Sequence, residues 1–111
     1  MKNNYSEEEY PYISLTVESG EISDISIFND ISNIAELYLA NNNITDLSNF
    51  NNNSVCLLDL SGNIGLTNII QLKNMEDLNV LYLENCGLND LSEITELKNI
   101  DILDLSGNDI K

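Results

Sequence analysis

Acidic side chains and two thiols are the groups in this 111-residue chain with chemistry to offer. There are 19 Asp and Glu against 4 Lys and Arg, two cysteines and no histidine. Without histidine, and with so few lysines, the usual general bases, nucleophile partners and phosphate clamps are missing. Carboxylates alone can move protons or hold a hard cation. Asp59 and Asp104 are the pair to consider for acid–base work, but an open surface neither excludes water nor raises a carboxyl pKa. Asp59-Leu-Ser61-Gly-Asn63 loosely follows the opening of a calcium loop, yet position six is Ile64 and position twelve is Ile70, where glycine and glutamate are needed. Weak Ca²⁺ binding among the carboxylates is all that remains of a metal reading. Gly62 and Gly107 follow serines outside any phosphate-loop context. The expectation is a non-enzymatic chain with no cofactor and no metal.

Charge and cysteine use narrow the setting. A net charge of −15 repels nucleic acid and anionic membranes. It attracts basic partners over a Debye length of about 8 Å, although the same charge also serves plain solubility. No apolar run approaches the ~18 residues of a membrane span, and MKNNYSEEEYPY lacks the apolar region of a secretory signal. Cys56 and Cys86 form no disulfide framework. Reduced thiols and a cytoplasmic location are expected, which leaves the N-x-[ST] triplets at Asn4, Asn43 and Asn52 without meaning.

The elements that must carry these residues repeat. Leu78, Leu81, Leu83, Cys86, Leu88 and Leu91 are spaced L-x-x-L-x-L-x-x-C-x-L-x-x-L. Earlier copies run Tyr12, Leu15, Val17, Gly20, Ile22, Ile25, then Ile34, Leu37, Leu39, Asn42, Ile44, Leu47. Another runs Val55, Leu58, Leu60, Asn63, Leu66, Ile69, with one extra residue after the asparagine, and the last is Ile100, Leu103, Leu105, Asn108, Ile110. Equivalent leucines at 15, 37, 58, 81 and 103 are separated by 22, 21, 23 and 22 residues. Each unit alone has a bare apolar face, and only stacking on its neighbours buries it.

Between the leucine steps, apolar residues recur every third position, as in Ile25, Phe28, Ile31, Ile34 and Leu91, Ile94, Leu97, Ile100. That period suits a return path of 3₁₀ or short helical turns with one side packed inward. Asp24, Asp46 and Asp90 precede these returns and read as caps for orphan N–H groups rather than catalysts. Asp90 to Glu93 and Asn68 to Gln71 have capping-box spacing. In the second return, Asn51, Asn52, Asn53 and Ser54 displace the apolar steps, which predicts a loop. Asn42, Asn63 and Asn108 fall in the turn after each leucine pair, where a buried amide can bond the neighbouring unit. Cys86 stands in that column as a small filler, with no basic neighbour to activate it.

This pattern resembles the leucine-rich-repeat family over about residues 12–111, and its 22-residue period looks most like the internalin-type subclass. The resemblance implies an α/β solenoid: a right-handed array of about five repeats. Short parallel strands near 14–18, 36–40, 57–61, 80–84 and 102–106 would line a concave face that binds other proteins. Residues 1–11 are expected to form a flexible acidic arm whose last part folds over the first repeat. No N-terminal cap domain is evident and the fifth repeat lacks a polar cap, which raises self-association through that end.

Alternation along a strand turns three positions per repeat outward. They hold Ser14, Glu36, Leu57, Val80 and Ile102; then Thr16, Tyr38, Asp59, Tyr82 and Asp104; then Glu18, Ala40, Ser61, Glu84 and Ser106. Leu57, Val80 and Ile102 would form an exposed apolar row, and Tyr38 and Tyr82 would flank Asp59. Strand propensity alone also favours tyrosine and β-branched residues there. The expected partner site is Glu36, Tyr38, Leu57, Asp59, Val80, Tyr82, Glu84, Ile102 and Asp104. It would dock a basic protein as an inhibitor or regulator, with no direct contact to nucleic acid or membrane. The competing expectation is an acidic nucleic-acid mimic, comparable with anti-CRISPR inhibitors, that blocks the nucleic-acid site of its target.

Overall fold

Every strand in this chain is too short to hold itself, so the fold is a matter of what each repeat finds beside it. The computed structural model describes residues 12–90 and 92–110. The expected N-terminal arm and Leu91 lie outside them. Strands β1 (Ile13–Thr16), β2 (Ile34–Tyr38), β3 (Leu57–Asp59), β4 (Val80–Tyr82) and β5 (Ile102–Asp104) form one sheet in the order β1-β2-β3-β4-β5. All neighbours are parallel, with Leu15, Leu37, Leu58, Leu81 and Leu103 in register. Pairing of β3, β4 and β5 ends two residues before the expected strand ends, at Asp59, Tyr82 and Asp104. Past Asp59 and Asp104 the chain bends, as it does past Tyr82 where no carboxylate stands, and each carboxylate takes the N–H of the serine two residues on, at 3.0 and 2.9 Å.

The returns are 3₁₀ turns at Ile25–Phe28, Ile70–Asn74 and Ile94–Glu96. Among the described residues there is no α-helix. A three-residue turn lets the apolar side chain at every third position face the sheet, and Ile25, Phe28, Leu72 and Ile94 are buried. The second return has no helix, as the asparagine run predicts, but it is not empty of packing. Phe50 is wholly buried, and Asn52, only 5% exposed, donates to the carbonyls of Phe28 (2.7 Å) and Ile31 (2.9 Å) while accepting from Ser54. Its amide replaces an apolar step with hydrogen bonds to the repeat before it. Ile31 is exposed rather than packed inward, since its neighbour across the turn is the asparagine loop.

Asp24 caps its 3₁₀ turn as expected, accepting the Ser26 N–H at 3.0 Å. Asp46 and Asp90 likewise accept the N–H two residues on, from Ser48 (2.8 Å) and Ser92 (2.8 Å). No helix starts after Asp46, however, and the turn Ile94–Glu96 starts at Glu93 with no side-chain cap bond. The capping boxes do not form. Glu93 instead accepts from the Ile69 N–H of the preceding repeat at 3.0 Å, and Gln71 donates to Phe50 O at 3.5 Å. In a solenoid, the residue one period away is closer to hand than the helical partner three positions along.

Stacking decides burial. Leu37, Leu58 and Leu81, with a repeat on each side, have no exposure, whereas Leu103 on the last strand is 38% exposed. The asparagine column ties the stack. Asn42 donates to Val17 O (2.7 Å) and Leu39 O (3.0 Å) and accepts from Gly20 and Ile22 N–H. Asn63 donates to Leu39 O and Leu60 O and accepts from Ile44 N–H at 2.9 Å. Asn108 repeats the arrangement on Leu83, Leu105, Cys86 and Leu88.

Cys86 makes its own contact, Sγ to Leu60 O at 3.1 Å. An asparagine there would find the amides it serves already taken, because the extra residue after Asn63 closes a local turn. In that turn Leu66 N–H donates to Asn63 O and Asn63 N–H to Leu60 O. Burial pushes the Cys86 thiol up to about 11, which fits a filler rather than a nucleophile. One further column shows where glycine is required. Asn41, Gly62, Asn85 and Gly107 all have positive φ, and a Cβ on Gly62 or Gly107 would overlap the side-chain oxygen of Asn41 or Asn85.

Candidate functional site

The outward face of the sheet is a lattice whose spacing the backbone sets. Neighbouring strands lie about 4.8 Å apart and alternate residues along a strand about 6.6 Å apart. Register places Glu36 beside Leu57, Leu57 beside Val80 and Val80 beside Ile102. The next row runs Thr16, Tyr38, Asp59, Tyr82 and Asp104. Beyond the strand ends the repeats stay adjacent: Asn41 N–H donates to Ser61 O, Gly62 N–H to Glu84 O, and Glu84 N–H to Ser61 Oγ. The face therefore brings the nine expected residues together as rows.

Their exposure differs from expectation. Leu57 and Val80 are half-buried, because each has outward side chains on both flanking strands, and Ile102, with a neighbour on one side only, is 54% exposed. Ala40 is buried, its methyl lying below the level of its longer neighbours, yet it still lines the outward side beside Ser61. Tyr38, Asp59, Tyr82, Glu36 and Asp104 are half-buried, and Glu84 is exposed.

Several of these side chains are held before any partner arrives. Tyr38 OH donates to Glu36 at 3.3 Å. Burial pushes the Tyr38 phenol pKa up, and the charges of Glu36, Tyr82 and Asp59 add to it. Asp104 accepts from both the hydroxyl (2.6 Å) and the N–H of Ser106, which holds its carboxyl below the usual range. Asp59 and Asp104 thus cap the bend after their strands as well as facing outward. No cluster of three metal-ligating groups exists among the described residues, and Glu36, Asp59, Glu84 and Asp104 come from four different repeats.

The sequence matches no family model, and no curated protein is similar to it at a significant level. Solved structures do match. An internalin (inlF) from Listeria monocytogenes superposes with a TM-score of 0.70 at 34% identity, covering 82% of this chain and 27% of that one. Internalin C2 (inlC2) from the same organism gives 0.65 at 25% identity, covering 79% and 39%. The chain is an internalin-type leucine-rich-repeat protein. Its five parallel strands and 3₁₀ returns make the leucine-rich-repeat solenoid, sheet on the concave side. It spans less than two-fifths of either internalin's length.

Within this leucine-rich-repeat chain the sheet face continues past the strand ends into a shallow groove of about 470 Å³, with Glu18, Asp59, Ser61, Tyr82, Glu84 and Asp104 among its lining. Glu18 is a residue the sequence reading left out of the site. Its signal was available, since it holds the same repeat position as Glu84. Asn41 and Asn85 also line the groove, but only their left-handed backbone puts them there. Among the described residues no helix is long and apolar enough to cross a membrane.

Proposed function

We propose that this chain is a non-enzymatic binding module that docks a basic protein partner on the concave face of its sheet, as an inhibitor or regulator. Leucine-rich-repeat solenoids offer such faces as extended binding surfaces. The observation that carries the reading is the row Tyr38, Asp59, Tyr82 beside half-buried Leu57 and Val80. Tyrosine is an enriched interface anchor, and covering an apolar side chain fully is worth about 1.5–3 kcal/mol. Glu36, Glu84, Ile102 and Asp104 extend the same surface. The described cations, Lys73 and Lys98, lie in the returns, so no described cation opposes the carboxylates of the face. The two unpaired thiols support a cytoplasmic setting.

A pull-down across a salt series tests it. Replacing Tyr38, Tyr82 and Val80 together by alanine should abolish capture of the partner that the native chain retains. Capture unchanged by that triple variant ends the concave-face reading. The net charge of −15 favours a second reading, the nucleic-acid mimic. There, binding falls steeply with salt and DNA or RNA competes for the partner; capture indifferent to both excludes it. Self-association through β5 is a separate proposal, supported by the exposure of Ile102 and Leu103. Sedimentation as a monomer at every concentration removes it.

A further inference from the structure

We infer that the row Tyr38–Asp59–Tyr82 is a receptor for one arginine side chain of the partner; the inference rests on the concave-face reading. Asp59 is the midpoint of the row, with a tyrosine in register on the strand to either side. At about 4.8 Å per strand, a cation seated over Asp59 comes within the roughly 6 Å at which an aromatic face attracts it, from both sides at once. The carboxylate is oriented in advance, because Oδ1 is held by Ser61 N–H at 3.0 Å. Tyr38 is oriented too, its hydroxyl donating to Glu36 at 3.3 Å.

Two more carboxylates complete the pattern. Glu36 lies one strand before Asp59 and one outward position earlier, while Glu84 lies one strand after and one position later. The three acids therefore run diagonally across the sheet, about 8 Å apart by the lattice spacings. No described cation shares the face, since Lys73 and Lys98 belong to the returns. Without a cluster of three ligands among the described residues, a metal is a poor occupant.

A chain crossing the diagonal with basic residues two or three positions apart meets all three acids. The centre selects arginine over lysine. A guanidinium is planar, stacks on rings and is less tightly hydrated than an ammonium, so it can lie between two phenols while its N–H groups reach Asp59.

The probe is a nine-residue peptide of three Gly-Ser-Arg units, with lysine and citrulline versions, titrated at low ionic strength into isotope-labelled protein and followed by amide shifts. The arginine peptide should shift amides of residues 57–61 and 80–84. Lysine should bind at least about threefold weaker and citrulline at least about tenfold weaker. Tyr82→Leu and Asp59→Asn should each weaken the arginine peptide about tenfold or more, whereas Glu76→Gln, at an exposed acid between the Ile70–Asn74 return and β4 and away from the sheet face, should cost less than about threefold. Asp59→Asn keeps an acceptor for Ser61 N–H, and thermal melts confirm that each variant is folded. Equal binding of arginine and lysine peptides, or indifference to Tyr82→Leu, overturns the inference and leaves only charge attraction. If the peptide fails while the alanine triple variant still loses its partner, the arginine site falls and the docking face stands. If the triple variant keeps its partner, the docking face itself falls.

Discussion

Asn63 is the most informative residue to break. Its side chain is wholly buried between the second and third repeats, and it makes three hydrogen bonds: to Leu39 O at 3.0 Å, to Leu60 O at 2.8 Å and from Ile44 N–H at 2.9 Å. Asn63→Ala removes all three and strands a buried N–H. At about 1 kcal/mol per bond plus about 1–2 kcal/mol for the unsatisfied amide, the loss is about 4 kcal/mol. A small domain has about 5–15 kcal/mol in total, so with an m-value of about 2 kcal/mol/M the urea midpoint should fall by about 2 M. Far-UV circular dichroism during urea titration measures it, with the m-value checked because a repeat array can lose cooperativity.

Asn63→Asp sharpens the test. The new carboxylate keeps the acceptor for Ile44 N–H but turns charge toward two carbonyl oxygens in a buried site, which raises its folded pKa above the unfolded ~3.9. A group with a raised folded pKa stabilises fully below its unfolded pKa and loses that contribution as pH rises through the folded one. The Asn63→Asp variant should therefore approach the native chain near pH ~4 and fall away from it by pH ~7. An Asn63→Ala midpoint within about 0.5 M of native, at unchanged m, would refute the view that this column ties the repeats together.

Cys86 should behave as the exception in that column: Cys86→Ala should cost only about 1 kcal/mol by urea titration, and Cys86→Asn should bring no gain, because the Leu66 and Asn63 amides are already bonded. With its thiol pushed up to about 11, Cys86 should resist a thiol reagent at mildly alkaline pH in the folded protein and react once urea unfolds it. Gly62→Ala should cost about 1–2 kcal/mol from the left-handed backbone and the overlap with Asn41, and adding Asn41→Gly should recover the overlap part, read from melting temperatures. Asp24, Asp46 and Asp104 have carboxyls held low, chiefly by serine hydrogen bonds. Their stabilisation is present above pH ~3.9 and lost as pH falls through the lowered folded values. The triple Asn variant should show a shallower fall of the urea midpoint below pH ~4.

Much of the fold was legible because a 22-residue period is a long-range fact written locally. Once Leu15, Leu37, Leu58, Leu81 and Leu103 are aligned, the in-register parallel sheet and its two outward rows follow from alternation alone. Caps were legible for the same reason, since Asp24 and Ser26 are two residues apart. What could not be read was any choice among competing partners. Glu93 bonds Ile69 rather than closing a box on Asp90, and Asn52 bonds Phe28 and Ile31 rather than projecting from a loop. Both partners lie a full repeat away.

By itself, then, the sequence determined the repeat, the interior column and which side chains share the outward face, because those depend on spacing along the chain. The tertiary structure decided how open that face is. Leu57 and Val80 are half-covered, Ala40 is buried and Ile102 stands out, because exposure depends on the length of side chains one strand over and on whether a strand lies there at all. It also decided that Asp59 and Asp104 end their strands while facing outward, since a carboxylate takes the N–H two residues on only where the backbone has already bent to present it.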